Sequence, residues 1–142
     1  MRVYCYTLIL PFMEKMTILT DKTYVDKAES VVKNLKKKPD RRVNYKEKFV
    51  LTTSKIRNLL SLTSTLFDEV QSRPIEELQD KIAYLRVQFL YQSGREGAVK
   101  DLVEKAEILD CLKEITDKAS LIRFCRYMEA LVAYFKFEGG KD

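Results

Sequence analysis

The residues best placed to do chemistry here are cations. Between Lys36 and Lys48 the chain carries seven basic residues and two acidic ones. The 142-residue sequence holds 26 Lys and Arg against 21 Asp and Glu, so 19 of each sign remain elsewhere and the whole net charge of +5 sits in this one segment. Such a cluster suits a polyanion, bound through backbone charge and therefore salt-sensitive and blind to sequence. Lys37, Lys38, Arg41 and Arg42 are its candidates on charge density alone. Lys55 and Arg57 follow in the first turn of a helix, where acidic residues are the usual choice, and they add to the partial positive charge of the free amides. That turn reads as a phosphate seat or, equally, as an ordinary solvated cap. Near the C-terminal end, Arg123 and Arg126 share a helix flank with Tyr127 and Tyr134. Arginine beside exposed aromatics can pair with phosphate and stack on bases, although tyrosines at helical spacing serve as readily for packing.

Much other chemistry is excluded. The sequence has no His, which removes His-dependent triads, His metal sites and the commonest general base near neutral pH. Cys5, Cys111 and Cys125 form no C-x-x-C pair and are odd in number, so neither a zinc knuckle nor a closed disulfide framework is expected, and a reducing cytosol suits them. Cys125, on an apolar helix stripe, reads as a small hydrophobe, and Cys111 takes the same reading. No glycine-rich phosphate cradle is present. Glu76, Glu77 and Asp80 cluster at a helix start, where they complement the dipole. No catalytic residue, metal site or cofactor is expected, and the chain is not read as an enzyme.

The elements that must carry these cations are helical. With 46% apolar residues but only 4 Gly and 3 Pro, the chain lacks the turn signals of a many-stranded fold. The expectation is one all-α domain, a compact bundle of about five helices with a basic loop between the first and second. Tyr24, Val25, Ala28, Val31, Val32 and Leu35 recur at helical spacing and predict a first helix over about 22–36. Pro39 and the repelling charges then predict a loop. Leu51-Thr52-Thr53-Ser54 signals the second helix, with Thr52 or Thr53 as N-cap and Leu51 stapled to Ile56. Its stripe continues through Leu59, Leu60, Thr63, Leu66, Phe67 and Val70, and its far face holds the short polar Asn58, Ser61 and Thr65. The third helix starts near Pro74 and runs to Gly94, with Ile75, Leu78, Ile82, Leu85 and Phe89 on one face and Tyr84, Val87 and Tyr91 on the other. Two apolar sides predict a sandwiched helix. The fourth spans Ala98 to Leu109. The last runs from about Ser120 to Glu138, buries Leu121, Phe124, Cys125, Met128, Leu131, Val132 and Phe135, and stops at Gly139-Gly140.

The opening apolar run, residues 3–12, falls short of the roughly 20 residues a membrane span needs and lacks a cleavage site, so neither secretion nor a membrane is expected. Residues 1–15 read as a loose arm or a mis-started extension, with Met16-Thr17 a sensible start to a single domain over 16–142.

Three stretches carry a resemblance: Leu51-Thr-Thr-Ser-Lys-Ile-Arg-Asn-Leu-Leu60, Tyr84-Leu-Arg-Val-Gln-Phe-Leu-Tyr-Gln-Ser-Gly-Arg-Glu96 and Phe124-Cys-Arg-Tyr-Met-Glu-Ala-Leu-Val-Ala-Tyr-Phe-Lys136. Together, over roughly residues 17–138, they resemble the small helical subunit of the type III-A CRISPR effector, the Csm complex. The resemblance implies a non-catalytic, cytoplasmic subunit in antiviral defence, stacked in several copies as a minor filament. Its implied partners are the backbone and large subunits, CRISPR RNA and single-stranded target RNA. Carried over motif by motif, it implies RNA contacts at Lys55 and Arg57, Arg86 and Arg95, and Arg126 and Lys136. Tyr84, Tyr91, Tyr127 and Tyr134 are candidates for base stacking or subunit contact. Two alternatives stand beside it. One is a helical adaptor with no RNA contact, docking through Tyr84, Val87 and Tyr91 and the C-terminal helix. The other is a helix-turn-helix regulator, disfavoured because the basic loop replaces the short preceding helix and tight turn.

Overall fold

The computed structural model describes residues 18–142. The expectation for residues 1–15, and Cys5 with it, lies outside the described residues. The elements in order are α1 (Tyr24–Lys33), β1 (Lys37–Asp40), a 3-10 turn (Arg41–Val43), β2 (Lys46–Phe49), α2 (Thr53–Glu69), a 3-10 turn (Ile75–Leu78), α3 (Gln79–Arg95), α4 (Gly97–Lys105), α5 (Ile108–Lys113) and α6 (Lys118–Phe137).

The central element is α6, against which both α1 and α2 pack, while α3 packs on α4 and α2. Leu121, Phe124, Cys125, Tyr127, Met128, Leu131 and Phe135 are its buried residues. A side chain of Leu or Phe size stabilises by about 1.5–3 kcal/mol when fully buried, so this helix organises the core. Its ends are written in its sequence. Asp117 Oδ1 accepts from the Ser120 amide at 2.8 Å, and Ser120 Oγ accepts from the Asp117 amide at 3.0 Å, a reciprocal cap. At the other end the Gly140 amide donates to Phe135 O (2.8 Å) and the Gly139 amide to Lys136 O (3.2 Å), with Gly139 at φ +98°. That is the glycine-dependent stop expected at Gly139-Gly140. Gly140 lies against the Phe135 ring so closely that a Cβ would collide with it.

The start of α2 also follows its sequence. Thr52 Oγ1 accepts from the Lys55 amide at 3.4 Å, and Leu51 and Ile56 are both buried as the staple requires.

Four expectations are corrected. The basic loop is a β-hairpin, so the domain is mostly helical with a small antiparallel sheet rather than all-α. Pairing with a second strand gives these backbone groups hydrogen-bond partners, and Phe49, its ring 4.9 Å from Phe135, pins the hairpin to the core. The fourth helix divides into α4 and α5, because Glu107 adopts φ +54° and Tyr127 Oη donates to Ala106 O at 3.0 Å. The third helix is not sandwiched: Tyr84, Val87, Leu90 and Tyr91 are all more than half exposed. Val132 is half-buried rather than buried.

Cys111 and Cys125 are free and buried, as small hydrophobes should be, and burial pushes both thiols up to about 12. Among the described residues no helix is long and apolar enough to cross a membrane.

Candidate nucleic-acid interface

The N-terminus of α2 is the meeting point of several elements. Lys55 Nζ lies 3.0 Å from Glu96 Oε2, which ties this turn to the C-terminal end of α3. The Thr53 amide donates to Lys141 O at 3.2 Å, while Asp142 Oδ1 accepts from the Ser54 amide at 2.8 Å and from Ser54 Oγ at 2.6 Å. The residues after α6 therefore occupy the amides that the sequence offered as a phosphate seat. Those hydrogen bonds hold the Asp142 carboxyl below its ordinary range, with the charges of Lys136 and Arg57 acting the same way.

Two depressions open on this end. A cleft of about 220 Å³ is lined by Ser54, Lys55, Asn58, Gln92, Arg95 and Glu96. A larger groove of about 730 Å³ runs from the hairpin, past Thr52, to Glu138 and Lys141. Lys55 and Arg95 on the cleft and Lys37, Lys38 and Arg42 on the groove thus share one pole of the molecule with Arg57 and Lys136, whose charges act on Asp142 at the groove's edge, and the hairpin adds Arg41 at its tip. Acidic neighbours temper the pole: Glu96 holds Lys55, and Asp40 lies 3.7 Å from Lys48. The Asp40 carboxyl is itself lowered, chiefly by the Arg42 amide that it accepts at 3.0 Å.

Arg86 and Arg126 are not part of this pole. Arg86 is nine residues before Arg95 along α3, roughly 13 Å on helical rise, and it borders a separate depression with Lys113, Leu112 and Ile115. Arg126 is ten residues before Lys136, roughly 15 Å along α6, where it covers the Phe67 ring at 5.4 Å and lies 3.5 Å from Glu129. Arg123 is held by Asp21 at 2.8 Å.

Of the tyrosines, Tyr84 and Tyr91 are exposed, Arg95 covering the latter ring at 5.7 Å, and Tyr134 is half-buried. Tyr127 is corrected outright. It is 0% exposed, its hydroxyl is spent on Ala106 O, and burial raises its pKa well above the ordinary phenol value, so it offers no stacking face.

Sequence reasoning passed over Tyr45, Lys46, Lys48 and Lys141. The lysines were visible in the charge count, but only strand pairing shows which of them share a face. Tyr45, beside Asn44 at the chain reversal, carried no signal of its own. Among the described residues no group of three or more His, Cys, Asp or Glu is placed to hold a metal ion.

Comparison with known proteins places the chain in a family. The sequence profile of the family Csm2 Type III-A matches residues 22–141, which takes in the hairpin, the α2 turn and all six helices. The chain belongs to the type III-A Csm2 family. A Csm2 relative from Streptococcus thermophilus, described as CRISPR system Cms protein Csm2, is 61% identical over 127 residues, covering 89% of this chain and 100% of the relative. A relative of the same description from Mycobacterium tuberculosis (strain CDC 1551 / Oshkosh) is 48% identical over 132 residues, 89% of this chain and 99% of its own. Another, from Enterococcus italicus, is 40% identical over 94 residues, 61% and 67% of the two chains. Csm2 is thus the small-subunit family that the three sequence stretches resembled.

Proposed function

We propose that this chain is a non-catalytic small subunit of the type III-A CRISPR effector complex that touches the backbones of guide and target RNA and stacks with further copies as a minor filament in the cytoplasm. The observation carrying this reading is the single basic pole: Lys55, Arg57, Arg95 and Lys136 gather beside the hairpin, which with Lys36 before it holds the whole excess charge. Charge-assisted hydrogen bonds from these groups suit phosphate oxygens. Contacts carried by these cations to the backbone make affinity salt-dependent and indifferent to sequence. Arg86 and Arg126, away from the pole, fit contacts to another stretch of RNA or to neighbouring subunits.

A gel-shift titration of the purified full chain with mixed-sequence single-stranded RNA at two salt concentrations, beside matched duplex DNA, tests this. Salt-weakened RNA binding that falls in a folded K55E/R57E/R95E variant is the expected result. Unchanged binding by that variant in low salt overturns the assignment of these residues.

The adaptor reading has its own support in the exposed Tyr84, Val87, Leu90 and Tyr91 stripe on α3. An apolar face of this kind suits another subunit. Assembly with Csm partners in the absence of RNA, lost in a V87E/Y91E variant, favours it.

A further inference from the structure

We propose that the β1–β2 hairpin is a clasp for single-stranded RNA, in which Lys38, Lys46 and Lys48 hold successive phosphates and Tyr45 stacks on a base. The inference rests on the RNA-binding reading above and gives it residues and a division of labour which that reading lacks.

Strand register places the lysines. Lys37 pairs with Phe49, Lys38 with Lys48, Pro39 with Glu47 and Asp40 with Lys46. Side chains alternate along a strand, so Lys38, Asp40, Lys46 and Lys48 share one face and Lys37, Pro39, Glu47 and Phe49 the other. Phe49 is buried against Phe135, which turns its own face toward the core and the three lysines away from it. Lys38 and Lys48 stand directly opposite each other, an arrangement that costs a hairpin stability unless an anion lies between them. Asp40 lies 3.7 Å from Lys48 and is shared with the charge of Arg42, one carboxylate for several cations. Among the described residues, Lys38, Arg41, Arg42 and Lys46 have no ion-pair partner. Lys46 and Lys48 are two residues apart on one strand, roughly 7 Å, the order of one nucleotide step in an extended single strand.

The tip supplies the aromatic. Asn44 and Tyr45 both take positive φ, +53° and +59°, to reverse the chain. Asn tolerates this region, whereas an aromatic residue does so at a cost that glycine would avoid. The Tyr45 side chain gains little packing in return: it is 67% exposed, with no aromatic or cationic partner among the described residues. Strain retained with little packing reward is characteristic of residues kept for contact with a ligand. An exposed ring beside a cationic track is how single strands are held without base reading.

Fluorescence anisotropy of the full chain with mixed-sequence single-stranded RNA across a salt series separates the possibilities. The K38Q/K46Q/K48Q variant is expected to lose about 2 from the slope of log affinity against log salt, three phosphate contacts at ~0.7 each. Y45G is expected to bind about tenfold more weakly, within the range for one stacked base, while its melting temperature rises because glycine relieves the left-handed strain. Y45F, which keeps the ring, restores binding. A purely structural Tyr45 cannot give opposite signs in the two readouts. Wild-type binding that neither variant changes overturns the clasp and leaves the broader reading standing. A wild-type chain that binds no RNA in low salt overturns both. Anionic phosphatidylglycerol vesicles form the control, and lysine-dependent binding there but not to RNA also overturns the clasp.

Discussion

Tyr127 shows how much one hydroxyl can settle. Its Oη donates to Ala106 O at 3.0 Å, and Cys111 Sγ approaches the same carbonyl at 3.9 Å, so the buried carbonyl at the end of α4 is satisfied from within the core. Tyr127→Phe keeps the ring and removes the stronger donor; it is expected to cost about 1–2 kcal/mol in chemical denaturation. Thr53 presents the opposite case. Its Oγ1 is buried with no hydrogen-bond partner among the described residues. Thr53→Val keeps the shape and removes the orphaned hydroxyl, so the expected outcome is a gain of about 1 kcal/mol by the same measurement. At the basic pole single side chains have competitors on the same surface, Glu96 for Lys55 and Asp40 for Lys48. Surface pairs of this kind contribute little to stability, so an anionic ligand can displace the carboxylate at small cost.

Among the elements, α6 depends most visibly on its ends. Asp117→Ala removes the cap hydrogen bond to the Ser120 amide and is expected to destabilise the protein by about 1 kcal/mol in thermal or denaturant unfolding. The Asp117 carboxyl is lowered from 3.8 in the folded state, first by the Ser120 amide. A lowered acid contributes stability that is present above its unfolded pKa and lost as pH falls through the folded one. Stability measured downward from pH 4 should therefore fall less steeply in the Ala variant than in the wild type. The hairpin and α3 share a different property. Each keeps one face on the core and leaves the other to solvent, lysines in the first and tyrosines with Val87 and Leu90 in the second. Two surfaces of unlike chemistry suit two kinds of partner, a polyanion and a protein.

At the scale of the whole molecule, the acid groups of the core face alkali together. Cys111 and Cys125, with ordinary pKa values of 9.0, are pushed to about 12 by burial, and Tyr127 is raised above its ordinary 10.0. Raised pKa values contribute stability that is fully present below the unfolded values and lost as pH rises toward the folded ones. Unfolding free energy should be flat below about pH 8 and then fall by up to about 1.4 kcal/mol per pH unit for each titrating group between pH 9 and 12. Comparing this slope, rather than absolute stability, between wild type and Cys125→Ala checks the assignment: the variant should lose one group's share. Charge is likewise organised globally. The net +5 lies in a single segment, and the fold sets that segment beside the α2 turn, the end of α3 and the residues after α6. Family membership makes the Csm effector complex the setting for this surface.

Local chemistry made several features legible without coordinates. The staple and Thr52 cap of α2, the glycine stop of α6, the helical stripes and the concentration of charge each follow from residues close in sequence, because capping, periodicity and like-charge crowding act over a few positions. The exposed second stripe of α3 was legible as a pattern, but whether a neighbour covered it was not. Other features needed distant partners. Nothing between Lys105 and Ile108 signals a break, and the helix divides there because Tyr127, 21 residues on, takes the Ala106 carbonyl. The same contact removed Tyr127 from the candidate site. The segment from Lys37 to Phe49 lacks the apolar alternation of a strand, and it becomes a hairpin because it pairs with itself and anchors Phe49 on Phe135, 86 positions away. Composition determined by itself that a helical, cation-bearing protein without His chemistry would form. Only tertiary structure decided which cations share a face, which aromatic meets solvent, and that the α2 amides are already taken, since those outcomes depend on contacts between residues far apart in the chain.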